Sequence, residues 1–258
     1  MQIVRSGILP RLSPPVLPKE ALAAPEGEDW IYEFLWSGVR VRAIKIDAGV
    51  WLLGCDGRNL SNRFPRVAAA VAKLRSRNVV IDGEVLLLGS YSAAAVRYLA
   101  QNCDETVQSQ VVLLAYDLLH RAGEDMRGLP LLGRKFVLAS VVQQTPILLS
   151  PLFNGTSEAA LTEACRLGLA GLVAKRAGSC YQPSALAHPW VKVRVPLVRM
   201  SDSRRSDEPS QTGGRAVPCR ALARLQVRDP ERFGNQGRFP GSKADACPSR
   251  KKAQVFPK

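Results

Sequence analysis

Five short segments of the chain hold the residue types that phosphate chemistry needs. They are Glu33-Phe-Leu-Trp-Ser-Gly-Val-Arg40, Gly57-Arg-Asn-Leu-Ser-Asn-Arg-Phe-Pro65, Asp82-Gly-Glu84, Ala115-Tyr-Asp-Leu-Leu-His120, and Gly171-Leu-Val-Ala-Lys-Arg176 followed by Trp190-Val-Lys-Val-Arg194. Lysine and arginine neutralise the negative charge that develops on phosphate. Carboxylates hold the metal ions that assist such reactions. A flat aromatic ring stacks on a planar base. An amine becomes a nucleophile when burial or nearby cations lower its pKa. Each segment alone has an ordinary explanation. Asp-Gly-Glu is a common turn and Gly-Leu-Val-Ala-Lys a common strand. Arg40, Lys175 and Lys192 each fit a solvated surface charge, and Tyr116 fits a plain core position. His120 and His188 are read as incidental.

Taken together, in this order and spacing, the segments resemble the nucleotidyltransferase motifs of ATP-dependent DNA ligases, above all the ligase modules of bacterial end-joining repair. The run Gly123-Glu-Asp-Met-Arg-Gly-Leu-Pro-Leu-Leu-Gly-Arg-Lys135 resembles that family as well, and the likeness covers about residues 15–198. The resemblance implies an α+β nucleotidyltransferase fold of the DNA ligase or ATP-grasp-like kind. Antiparallel sheets pack together, helices flank them, and ATP binds in the cleft. It also implies a reaction in which a lysine attacks the α-phosphate and carries AMP. The AMP passes to the 5′-phosphate of a nick, and the 3′-hydroxyl then displaces it, with Mg²⁺ assisting. By the same resemblance Glu33, Arg40, Glu84, Tyr116, Lys175 and Lys192 are expected to contact the nucleotide. Glu84 would serve the ribose or the metal, Tyr116 would stack on adenine, and Lys192 would hold phosphate.

The chain departs from that pattern where the chemistry begins. The nucleophilic lysine position holds Leu35, and the aspartate two residues later is Ser37. The second metal-ligand position, normally glutamate, is Ala170. Arg194 replaces a lysine with the same charge but a different geometry. Gly54 and Cys55 stand where a Ser-Arg pair is usual. Leucine has no nucleophilic atom, so self-adenylation is expected to be impaired or absent. Lys45 shares strand parity with position 35, but ten residues of continuous strand would place it about 33 Å away. Lys175 and Lys192 are the nearer amines. Noncovalent binding of ATP or nicked DNA, and sealing of a nick that already carries AMP, stay open. So do a non-catalytic accessory role and the product of a decaying gene.

The elements that must position these residues are legible in part. Residues 1–28 read as an extended, proline-rich lead-in. Trp30 to about Ile46 reads as strand, and Val50–Leu53 as its neighbour beyond a turn. Residues 65–77 read as a helix, with Val67, Ala70, Val71 and Leu74 on one face and Pro65 near its start. A buried strand over Asn78–Leu88 is interrupted at Asp82-Gly83-Glu84, and Val111–Leu119 is another. Residues 90–110 read as partly helical. Helices are expected from Pro130 to Val142 and near 157–167, with Gly168 as the stop. Short strands follow at Leu172–Ala174 and Trp190–Val195.

The expected organisation is therefore a lead-in over 1–28, an adenylation domain over 29–199 and a basic, low-complexity tail over 200–258. The tail reads as mostly disordered, apart from a short helix near Ala221–Val227, and nothing in it resembles the OB-fold domain that follows in the family. The net charge is +14, from 36 Lys+Arg against 22 Asp+Glu, and the tail carries about half of it. Such a balance suits an anionic partner such as nucleic acid. The six cysteines form no CxxC pair, which gives zinc no support. With no signal-length or membrane-length apolar run, a cytoplasmic, nucleoid-associated protein is expected. Its partners would be nicked or broken double-stranded DNA and other end-joining repair proteins.

Overall fold

The computed structural model describes residues 14–88, 98–99, 105–182 and 189–195. Among these described residues, eleven strands and four α-helices follow in order. They are β1 (Lys19–Glu20), β2 (Trp30–Phe34), β3 (Val39–Ile46), β4 (Gly49–Gly54), α1 (Pro65–Ala72), β5 (Asn78–Leu87), α2 (Glu105–Ser109), β6 (Val111–Arg121), β7 (Glu124–Asp125), α3 (Leu131–Val142), β8 (Leu148–Leu149), β9 (Leu152–Phe153), α4 (Ser157–Arg166), β10 (Gly171–Arg176) and β11 (Trp190–Arg194). The strands form two sheets, one ordered β1-β11-β10-β2-β9, the other β4-β3-β5-β6-β7 with β8 beside β6. Pairing is antiparallel except for β1–β11 and β6–β8. The fold is the α+β arrangement that the resemblance implies.

Apolar side chains set the layers. Tyr32, Leu172, Ala174 and Val193 on one face of the first sheet pack on Ala160 of α4. Its other face, with Val173 and Trp190, meets Ile44, Val80 and Leu119 of the second sheet. The far face of the second sheet packs Val41, Ala43, Ile81 and Leu113 on Val67, Val71 and Leu74 of the α1 region and Leu138 and Val141 of α3. The central strands thus bury both faces, and period-two alternation sends alternate residues into the space between the sheets.

Four sequence expectations need correction. The stretch Trp30–Ile46 is two strands in different sheets, because the chain crosses over at Leu35–Gly38. A Cβ on Gly38 would lie 2.7 Å from the Val85 carbonyl oxygen, so only glycine fits the crossing. Asp82-Gly83-Glu84 does not interrupt β5. Gly83 sits mid-strand, where a Cβ would lie 2.4 Å from the Leu114 oxygen. The first helix ends at Ala72 rather than near 77, because the Lys45 ammonium donates to the carbonyls of Ala72 and Leu74. The lead-in is partly built into the fold: β1 pairs with β11, and the Val16 amide donates to the Tyr181 hydroxyl at 3.2 Å. The stop at Gly168 is as expected, with φ at +68°. The expected tail and its helix near Ala221–Val227 lie outside the described residues. Among the described residues no helix is long and apolar enough to cross a membrane.

One ion pair ties the layers together. Arg134 on α3 donates to both oxygens of Asp117 on β6, at 2.7 and 2.8 Å, and both side chains are fully buried. Arg134 also donates to the carbonyls of Leu129 and Ser179. Removing one partner of such a pair strands a buried charge. Arg134→Ala is therefore expected to destabilise the protein by about 3–5 kcal/mol, read as a lower midpoint in urea unfolding. A double change, Asp117→Leu with Arg134→Met, should recover part of that loss.

Candidate functional site

Strand register brings the motifs to one place. In the first sheet Val173 pairs with Glu33 on one side and Lys192 on the other, and Lys175 pairs with Ile31 and Trp190. Alternation then puts Glu33, Lys175, Trp190 and Lys192 on one face. In the second sheet Arg40 pairs with Glu84 and Arg42 with Asp82, so Arg40, Asp82 and Glu84 share a face. The two faces meet. Lys175 Nζ lies 4.7 Å from the Tyr116 ring centre and 4.2 Å from that of Trp190, and the Arg40 guanidinium lies 5.6 and 5.8 Å from the same rings.

Tyr116 reaches this cluster through a backbone irregularity. Gly83 pairs with Ala115 and Asp82 with Asp117, so Tyr116 is the extra residue of a β-bulge. A bulge re-aims its side chain. Here it turns the ring to face Lys175, while Asp117, opposite Asp82, takes the buried Arg134.

The charges are tightly committed. Glu33 is buried and ion-paired with Lys175 at 2.9 Å and with Lys135 at 2.7 Å. Burial pushes its pKa up, but the two lysines outweigh burial and hold it below the usual carboxylate range. Burial lowers the pKa of Lys175, against the pull of Glu33. Arg40 grips both oxygens of Asp82, at 3.2 and 2.7 Å, and the Tyr181 hydroxyl donates to the same carboxylate at 2.7 Å. Glu84 is left with the Gly38 amide, and burial raises its pKa to about 8. Burial also raises the pKa of Tyr116.

Five of the six expected contact residues converge: Glu33, Arg40, Glu84, Tyr116 and Lys175. Lys192 shares their face, yet its ammonium lies 3.2 Å from Glu20 of β1, which Arg194 also approaches at 3.0 Å. Lys135, Asp82, Trp190 and Tyr181 belong to the cluster and had no role assigned from the sequence. Asp82 was findable, because it lies two residues from Glu84 and so shares its face. Lys135 was not, because only the tertiary packing of α3 brings it to Glu33.

Leu35 packs against the apolar seam that contains Ile44, Val80, Val173 and Trp190. Of the three lysines weighed as substitutes, Lys192 is engaged with Glu20 and the other two stand away from position 35. Lys45 lies on the other sheet, engaged with α1. Leu35 donates its amide to Gly171, so Lys175 stands four residues along β10, about 13 Å away. The donors present do not fit a divalent cation held by the chain alone. Among the described residues no three acidic, histidine or cysteine side chains cluster. Asp82 is already occupied, and Ala170 offers no side-chain donor.

A family model described as ATP dependent DNA ligase domain matches residues 11–194. The multifunctional non-homologous end joining protein LigD of Pseudomonas aeruginosa is 29% identical over 176 residues, covering 67% of this chain and 21% of that protein. The corresponding LigD DNA repair protein of Mycobacterium tuberculosis is 27% identical over 181 residues, covering 70% and 24%. The chain thus spans between a fifth and a quarter of the length of these relatives. The solved ligase domain of M. tuberculosis LigD matches with a TM-score of 0.58 at 24% identity, covering 69% of this chain and 60% of that one. Mycobacterial DNA ligase D, solved with ATP and MES, gives 0.55 over the same shares. At these identities the structures show a shared fold.

The raised pKa of Glu84 has a consequence for stability. The folded protein holds this proton more tightly than the unfolded chain. The contribution is therefore complete below the ordinary value of 4.5 and is lost as pH rises through about 8. Glu84→Gln removes that dependence. In thermal unfolding, the variant should gain on the wild type steadily between about pH 5 and pH 8.5. Parallel curves for the two proteins would contradict the assignment.

Proposed function

The chain belongs to the ATP-dependent DNA ligase family, as an adenylation domain of the bacterial end-joining type, and from that membership we propose that it binds ATP and nicked or broken double-stranded DNA without charging itself with AMP. The observation that carries this is the contrast within one cleft. Arg40, Tyr116, Lys175 and Trp190 keep a cationic, aromatic cluster of residue types suited to a base and its phosphates. Beside it, the position that would supply the nucleophile is a leucine packed in an apolar seam. Losing a covalent nucleophile costs orders of magnitude in rate. With Ala170 and Ser37 also changed, the lesion extends to the metal and to the start of the motif.

In this reading Tyr116 takes the adenine, Glu33 and Lys175 border it, and Arg40 serves the ribose or phosphate side. Lys192 becomes available to phosphate once it leaves Glu20. Glu84 is the carboxylate nearest the sugar. Mg²⁺ would enter with the nucleotide rather than on a preformed set of protein ligands. The setting is bacterial, in the cytoplasm at the nucleoid, beside other end-joining proteins.

A second reading is an accessory DNA-binding protein with no nucleotide chemistry, favoured by the net charge of +14. A fluorescent ATP analogue separates the two. Reversible binding, displaced by ATP and weakened about tenfold by Tyr116→Ala, as loss of one base-stacking platform predicts, is the expected result. No displaceable binding, with nicked DNA still bound and indifferent to ATP, would leave the accessory reading. Sealing of a pre-adenylated nick without ATP would add a surviving late step.

A further inference from the structure

The segment 58–77 holds six Lys and Arg residues and no Asp or Glu. Three of the six are satisfied at home. Arg58 pairs with Asp56, Arg77 pairs with Asp47, and Arg63 donates to the Leu99 carbonyl. The other three, Arg66, Lys73 and Arg75, are exposed. Arg66 and Lys73 have no ion-pair partner among the described residues, and Arg75 meets only the neutral amide of Gln144, at 2.8 Å.

Their placement is regular. Arg66, Ala69 and Lys73 follow at i, i+3 and i+7, which is one face of α1 and its cap. The opposite face is locked into the core by Val67, Ala70, Val71 and Leu74. Arg66 and Lys73 are about 10 Å apart along the axis, with only the exposed alanines Ala69 and Ala72 between them. Among the described residues, this stretch of the helix surface carries only small side chains between its two cations. Arg66 also stands in the first helical turn, where the helix dipole repels a cation and no acidic residue offsets it. That arrangement costs stability unless an anion from outside relieves it. By contrast α4 balances Arg166 with Glu163 at 2.6 Å, as a merely solvated face does.

We infer that this outer face of α1, with Arg66, Lys73 and Arg75, seats the phosphate backbone of duplex DNA. It lies on the side of the second sheet turned away from the nucleotide cleft. It deepens the DNA-binding part of the proposed function and is independent of the nucleotide part. A lipid surface fits less well, because the face carries no aromatic or large aliphatic side chain to insert.

The test uses the full chain and a labelled nicked duplex over a salt series. Arg66→Gln with Lys73→Gln and Arg75→Gln should make the slope of log K against log salt shallower by about two to three, near 0.9 for each lost phosphate contact. A control triple at other exposed sites, Arg121→Gln with Arg166→Gln and Arg176→Gln, should change it by less than about one. Binding of the ATP analogue should be unaltered in both. An unchanged slope in the first triple overturns the inference. So does an equal change in both triples, which would mean net charge alone, and so does a loss confined to anionic vesicles or single-stranded RNA.

Discussion

Lys175 is the residue on which the two sheets agree. Its ammonium is buried, and a buried ammonium without partners is costly. Glu33 on the neighbouring strand supplies the counter-charge, and Tyr116 and Trp190 supply the faces of two rings. One of those rings comes from each sheet, so the amine is satisfied only when the sheets face each other in this register. Arg40 repeats the arrangement from the other side, held by Asp82 and lying over the same two rings. Tyr181 then ties Asp82 to the segment that follows β10 and, through Val16, to the lead-in. A polar cluster so fully paired fixes geometry as well as charge.

The same cleft changes character at the Leu35 end. There the wall is Leu35, Val173, Ile44 and Val80, and the flanking positions are Ser37 and Ala170. One end gathers two cations over two aromatic rings, while at the other the positions that hold a lysine and a glutamate in the family pattern are Leu35 and Ala170. The losses are concentrated where bonds would form and spare the residues that would hold the base.

How far the sequence revealed this depended on whether the signal was local. Motif order and spacing carried the resemblance to ATP-dependent DNA ligases, and that resemblance implied the two-sheet fold in which Glu33, Arg40, Glu84, Tyr116 and Lys175 come together. The crossing at Leu35–Gly38 was hidden, because Leu35 and Trp36 continue the apolar character of the strand before it. The uninterrupted course of β5 was hidden because Asp-Gly-Glu has the composition of a turn, and only the close approach of β6 explains Gly83. The bulge that aims Tyr116 depends on pairing between strands distant in sequence. Lys135 and Glu20 reach their partners through tertiary packing alone. Local patterns carry none of these contacts.

The central claim is that the cleft binds without becoming AMP-linked. The direct measurement is incubation of the purified full chain with α-labelled ATP and Mg²⁺, then a denaturing gel, with a working ligase alongside. The account predicts a labelled band for the control and none for this chain. A labelled band at the mass of this chain would contradict it, and would mean that another side chain has taken over the role lost at Leu35.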